Sequence, residues 1–143
     1  MVQGQEKFRA LSKIFIKGSD IMIFVYDITM RESFNDLKDY HIPTAYKILG
    51  NNFKGVIVAN KSDLFLHEKI SEEEGKQLAD SYGFKFVLAS AKCNYIGFRK
   101  CINEIIVEKL NEINWINKKE SEDLKKEIEN ERKKEIENRT KKN

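Results

Sequence analysis

No run of about twenty apolar residues occurs in these 143 residues, so the sequence holds no candidate membrane-spanning helix. Charge of one sign is scarce as well. Lys and Arg number 26 against 23 Asp and Glu, for a net charge of +3, and that balance gives no electrostatic case for a nucleic acid or an anionic membrane as partner. Cysteine is limited to Cys93 and Cys101. Two thiols make no zinc-type cluster, and they fit a reducing compartment. Met1-Val2-Gln3-Gly4-Gln5-Glu6 has no apolar stretch of the signal-peptide kind. Thr140-Lys141-Lys142-Asn143 offers no cysteine for prenylation. The expectation is a cytoplasmic chain with no direct membrane anchor of its own, peripheral to intracellular membranes where a longer form exists.

Two regions differ in kind. Residues 1–116 alternate apolar runs with amphipathic stretches, whereas residues 117–143 contain no aromatic residue and almost no aliphatic one. The tail carries a near-repeat, KKEIENER from Lys125 and KKEIENR from Lys133. Its period of eight does not match a heptad, so a stable coiled coil is poorly supported. The sequence predicts a charged helical or partly disordered extension there.

In the body, Ile21-Met22-Ile23-Phe24-Val25-Tyr26-Asp27 has no polar alternation and reads as a parallel strand covered on both faces. Thr29 with Glu32 three residues on resembles a capping box, opening a helix through Phe34, Leu37 and Tyr40. Pro43, the single proline, should kink or break that helix near Tyr40. Gly55–Ala59 is a second strand. Ser71-Glu72-Glu73-Glu74 is a capping box for a helix that Gly83 stops, and Phe84–Ala89 is a third strand. Phe98, Ile102, Ile105, Ile106, Lys109 and Ile113 mark one side of a last helix. Strands alternating with helices imply right-handed crossovers and a parallel sheet, an α/β fold that binds ligands at the carboxyl ends of its strands.

Two polar motifs fall at those ends: Asn60-Lys61-Ser62-Asp63 and Ser90-Ala91-Lys92. A carboxylate such as Asp63 can accept two parallel hydrogen bonds from the N1–H and 2-amino groups of guanine. Adenine lacks both donors in that place, and a carboxylate buried beside it would be left unpaired, which makes the readout selective.

Taken in order, these segments resemble the Rab-type small GTPases of the Ras superfamily, over about residues 3–110. Gly4-Gln5-Glu6-Lys7-Phe8-Arg9 is similar to the end of that family's D-T-A-G-Q-E-R-F-R stretch. Tyr26-Asp27-Ile28-Thr29 with Glu32-Ser33-Phe34 is similar to its strand and following helix. Asn60-Lys61-Ser62-Asp63 matches N-K-x-D, and Ser90-Ala91-Lys92 matches S-A-K. The resemblance implies a P-loop-NTPase-like fold, GTP or GDP with Mg²⁺ as ligands, and exchange factors, activators and effectors as partners in vesicle traffic. It also implies residue roles. Asn60 bonds the base and ties loops together, Lys61 lays its methylenes over the purine, and Asp63 reads guanine. The Ala91 N–H meets the guanine oxygen, Ser90 supports Asp63, and Lys92 packs on the base. Gln5 orients the attacking water, and the Gly4 N–H meets the γ-phosphate.

The sequence departs from the family in one large respect. No G-x-x-x-x-G-K-[ST] occurs in it, so the residues that would hold the β- and γ-phosphates and the metal are not among these 143. Base recognition alone supplies three or four hydrogen bonds of about 1–3 kcal/mol each against an association cost of about 4–15 kcal/mol. The expectation is a nucleotide affinity no better than roughly millimolar and no hydrolysis. Without the family's first strand, one edge of Ile21–Tyr26 is expected to lie bare. A C-terminal piece of a longer product accounts for this pattern. The alternatives are a pseudo-GTPase interaction module and a helical-tail scaffold without nucleotide chemistry.

Overall fold

The computed structural model describes residues 14–93 and 95–140. Three parallel strands, β1 (Ile21–Asp27), β2 (Lys54–Asn60) and β3 (Lys85–Leu88), form one sheet in the order β1-β2-β3. The register aligns Asp27 with Asn60 and Ala59 with Leu88. All three carboxyl ends therefore open on the same side, where crossover geometry places ligands.

The β1–β2 crossover consists of α1 (Arg31–Asp36), a π-helical turn (Leu37–His41) and α2 (Ile42–Leu49). The kink expected near Tyr40 is this π turn, and the helix resumes beyond it instead of ending. Pro43 sits in the first turn of α2. It has no N–H to give, and its ring would meet a carbonyl one turn back, so the helix widens there. Thr29 departs from expectation. The N-cap of α1 is Met30, without a side-chain cap. Thr29 instead gives its hydroxyl and its backbone N–H to Asp27 Oδ1, at 2.7 and 2.9 Å. A carboxylate two residues back competes successfully with the cap. The capping box of α3 (Glu72–Ser81) is as expected: Ser71 Oγ accepts the Glu74 N–H at 3.2 Å. Gly83, with φ at +65°, turns the chain out of that helix.

One face of the sheet buries Phe24, Tyr26, Ile57 and Ala59 against Phe34, Leu37, Ile42, Ala45, Leu78 and Ala79. The Tyr26 hydroxyl has no hydrogen-bond partner there. Its burial, with help from the Glu74 charge, pushes its pKa up to about 12. Phe84 stacks against Phe24, Tyr46 and Tyr82 on the same face. Gly55 lies flat under the Phe84 ring, where any Cβ would collide. The other face buries Val56, Val58 and Ala89 against Cys101 and Ile105 of α4 (Ile96–Thr140).

The expected cover on both faces of β1 is not found. Phe24 and Tyr26 are buried, yet Ile23 and Val25 are 43% and 53% exposed. Of β1, Ile21 packs against the cluster that Cys101 and Ile105 of α4 form with Val56, Val58 and Ala89, and β1 is an edge strand. The described chain divides between Ile106 and Val107 into two compact units, the first holding the sheet and the second the distal part of α4. No described helix is long and apolar enough to cross a membrane.

Candidate functional site

Site geometry begins with the ends of β2 and β3. The Ala89 N–H donates to Ala59 O at 2.9 Å, and the Ser62 N–H donates to Ala89 O at 3.0 Å. These bonds zip the loop after β2 to the loop after β3. A cavity of about 370 Å³ opens where the loops part, lined by Asn60, Lys61, Asp63, Leu64, Ser90, Ala91 and Lys92. All six residues singled out from the two strand-end motifs thus meet at one place. Gly4 and Gln5 lie outside the described residues.

Ser90 is the buried polar residue of this arrangement, 1% exposed. Its hydroxyl donates to Asp63 Oδ1 at 2.6 Å. The same oxygen accepts from the backbone N–H groups of Lys92 and Cys93, each at 3.3 Å, and lies 3.3 Å from Cys93 Sγ. Ser90 therefore holds the β3 loop closed and fixes the Asp63 carboxylate in one orientation. The Ser90 hydrogen bond is the main cause that holds the Asp63 carboxyl below the ordinary carboxylate range, and the nearby Lys92 and Lys61 charges add to it. Asp63 is half-buried, not sealed. A ligand in the cavity would therefore meet a carboxylate with only part of the desolvation that full burial would bring.

Lys61 takes a left-handed backbone conformation, φ +63° and ψ +34°, and no other non-glycine among the described residues has positive φ. That turn reverses the chain from strand into the short helical segment Ser62–His67, with the Leu64 N–H donating to Lys61 O at 2.8 Å. The Lys61 ammonium pairs with Asp27 Oδ2 at 2.6 Å, with the lysine side chain half-exposed and the aspartate mostly covered. Burial raises the Asp27 pKa, but the hydrogen bonds from Lys61 and Thr29 outweigh it, and the net direction is downward.

Asp27 is the site residue that sequence reasoning passed over. The sequence signal was a carboxylate ending an apolar strand, and the sheet register then sets it beside Asn60. Cys93 is exposed beside the cavity. No group of three or more His, Cys, Asp or Glu suited to a metal ion occurs among the described residues.

The shape and chemistry suit a planar base that offers two adjacent donors to a fixed carboxylate, with the aliphatic stem of a lysine beside it.

Comparison with known proteins agrees with this geometry. The family model described as the Ras family matches residues 2–114. The chain is 37% identical over 113 residues to the Ras-related protein Rab-3A of Homo sapiens, covering 76% of this chain and 50% of that protein. It is 38% identical over 89 residues to the Ras-related protein RIC1 of Oryza sativa subsp. japonica, covering 62% and 44%. It is 36% identical over 89 residues to the GTP-binding protein YPTM2 of Zea mays, covering 62% and 43%. The chain spans about half the length of the curated relatives it matches or somewhat less. With the parallel sheet, the two strand-end motifs and these relatives in place, the chain belongs to the Ras family of small GTPases and is of Rab type.

Proposed function

We propose that this chain supplies the guanine-reading part of a Rab-type switch of vesicle traffic, and that these 143 residues alone neither grip nor hydrolyse GTP. The observation that carries the reading is the Ser90–Asp63 hydrogen bond at 2.6 Å, beside Asn60, Lys61 and Ala91 in one cavity. Asp63 accepts the guanine N1–H and 2-amino group, the Ala91 N–H donates to the guanine oxygen, and Lys61 and Lys92 flank the ring. Asn60 joins the base to the adjoining loop. Asp27 keeps the Lys61 stem along the purine by holding its ammonium. Gln5 and Gly4 belong, on this reading, to water orientation and γ-phosphate sensing. On this reading Mg²⁺ would neutralise the phosphates when bound. Exchange factors, activators and effectors are the partners this role calls for. The division into a GTPase-like body, 1–116, and a charged extension, 117–143, is part of the same proposal.

Two titrations test it. Saturation-transfer NMR at millimolar ligand should give signals for guanosine and not adenosine, and Asp63→Ala should remove them. Fluorescent GTP with Mg²⁺ should show no saturation below roughly 1 mM. Micromolar GTP binding by these 143 residues, or equal response to both nucleosides, would overturn the proposal.

A further inference from the structure

The distal part of α4 carries an ordered stripe that the nucleotide site does not use. Each helical residue advances about 100°, so Leu110, Ile113, Asn117, Ser121, Leu124 and Ile128 fall within a sector about 80° wide. The four aliphatic side chains are 53%, 39%, 58% and 44% exposed, which for residues of this size in one line leaves an uncovered apolar seam. The seam repeats every eleven residues: Leu110 with Ser121, Ile113 with Leu124, Asn117 with Ile128. An eleven-residue period lies close to that of an undistorted α-helix, so the seam stays on one side of a nearly straight helix instead of winding around it.

Charge decides what covers the seam. Between residues 117 and 128, Lys118 and Lys125 border one side, whereas Glu120 and Glu127 border the other. These four belong to neither of the ion pairs that this stretch makes within its own helix, Lys126–Asp123 and Lys133–Glu129. Lys109, which falls on the acidic side three turns before Glu120, is taken up by Glu112 of its own helix at 3.9 Å. Two helices packed in parallel about a two-fold axis bring one copy's acidic border against the other's basic border. Packed antiparallel, they bring like against like. In the parallel arrangement Glu120 of one copy reaches Lys125 of the other, a spacing of five residues that flanking positions of parallel paired helices share. Asn117 and Ser121 sit mid-seam, where a polar residue sets alignment at some loss of strength.

We propose that α4 pairs two copies of this chain in parallel through the Leu110–Ile128 seam, aligned by Glu120–Lys125 pairs. The proposal stands apart from the guanine reading and does not depend on it.

Sedimentation equilibrium of the full chain tests it. The weight-average mass should climb from one chain toward two with concentration in low salt. Leu124→Glu with Ile128→Glu should return it to one chain, with circular dichroism showing the helix retained. Lys125→Glu alone should lower the association constant about tenfold in low salt and much less in 1 M salt. Adding Glu120→Lys to Lys125→Glu should restore association, because the borders are again opposite in sign across the axis. A chain that stays single at every concentration overturns the proposal. So does association that survives the double glutamate change, or a charge swap that fails to rescue.

Discussion

The sheet unit and the distal helix of this chain encode their properties in different ways. In the first, position is everything: Asp27, Asn60 and Ser90 matter because three parallel strands end side by side and deliver them to one cavity. In the second, pattern is everything: among the described residues no single side chain is buried, and meaning lies in an eleven-residue spacing and in which sign of charge borders it. A substitution in the sheet unit should therefore act locally and strongly. One in the helix should act weakly on folding and only through a second molecule.

The sharpest way to break that contrast is to cut equal amounts of apolar side chain from each. Ile57 lies fully buried at the centre of β2, and Ile57→Ala should lower unfolding free energy by about 2–5 kcal/mol in a denaturant titration. Leu124→Ala, at an exposed helix position, should change it by no more than about 0.5 kcal/mol. Comparable effects would mean that the two regions fold as one.

Gly75→Ala comes next. Alanine normally steadies a helix interior relative to glycine, but at Gly75 of α3 a Cβ would strike the Tyr26 hydroxyl and approach the Phe86 ring. A loss of about 1–3 kcal/mol is expected, opposite in sign to helix propensity. A stabilised variant would show that the α3–sheet contact has room to spare.

Ser90→Ala removes one buried hydroxyl that serves Asp63 and two backbone N–H groups. It should cost about 1–3 kcal/mol. NMR titration should also show the Asp63 carboxyl rising toward the ordinary range as its main hydrogen bond is lost. An unmoved Asp63 titration would separate the loop's stability from the site's electrostatics.

Within the site the smallest expected effect is at Asp27. Its carboxyl is held low, so the Lys61 pair contributes fully above about pH 4 and is lost as acid carries the group through its depressed value. Because Lys61 is half-exposed, Asp27→Asn should cost at most about 1 kcal/mol at neutral pH, less in high salt. Wild type and variant should converge in acid, and a gap that persists there would assign the loss to the Thr29 bonds instead.

Much of the sheet unit was legible from sequence. Apolar runs gave the three strands, and Ser71 with Glu74 gave the start of α3, because strand burial and capping are local effects. The two strand-end motifs announced the cavity because parallel topology brings such ends together. The unexposed part was non-local. Whether Ile23 and Val25 face a partner depends on how far α4 reaches across the sheet, which no window of β1 contains. Thr29 followed Asp27 instead of capping α1, a choice between two nearby partners that spacing alone does not settle. The Lys61–Asp27 pair joins the end of β1 to the residue after β2 and required the register. In the distal helix the literal text repeat pointed to eight residues, while the side-chain seam runs at eleven.

The left-handed backbone at Lys61 gives a way to tell selection for endurance from selection for ligand. A lysine held there carries roughly 1–2 kcal/mol of strain that glycine would not. A library of variants screened only for heat resistance should enrich glycine or asparagine at this position. The same library panned on immobilised guanosine should keep lysine, and the divergence of the two winning pools would read out directly how much folding strength this chain holds in reserve for recognition.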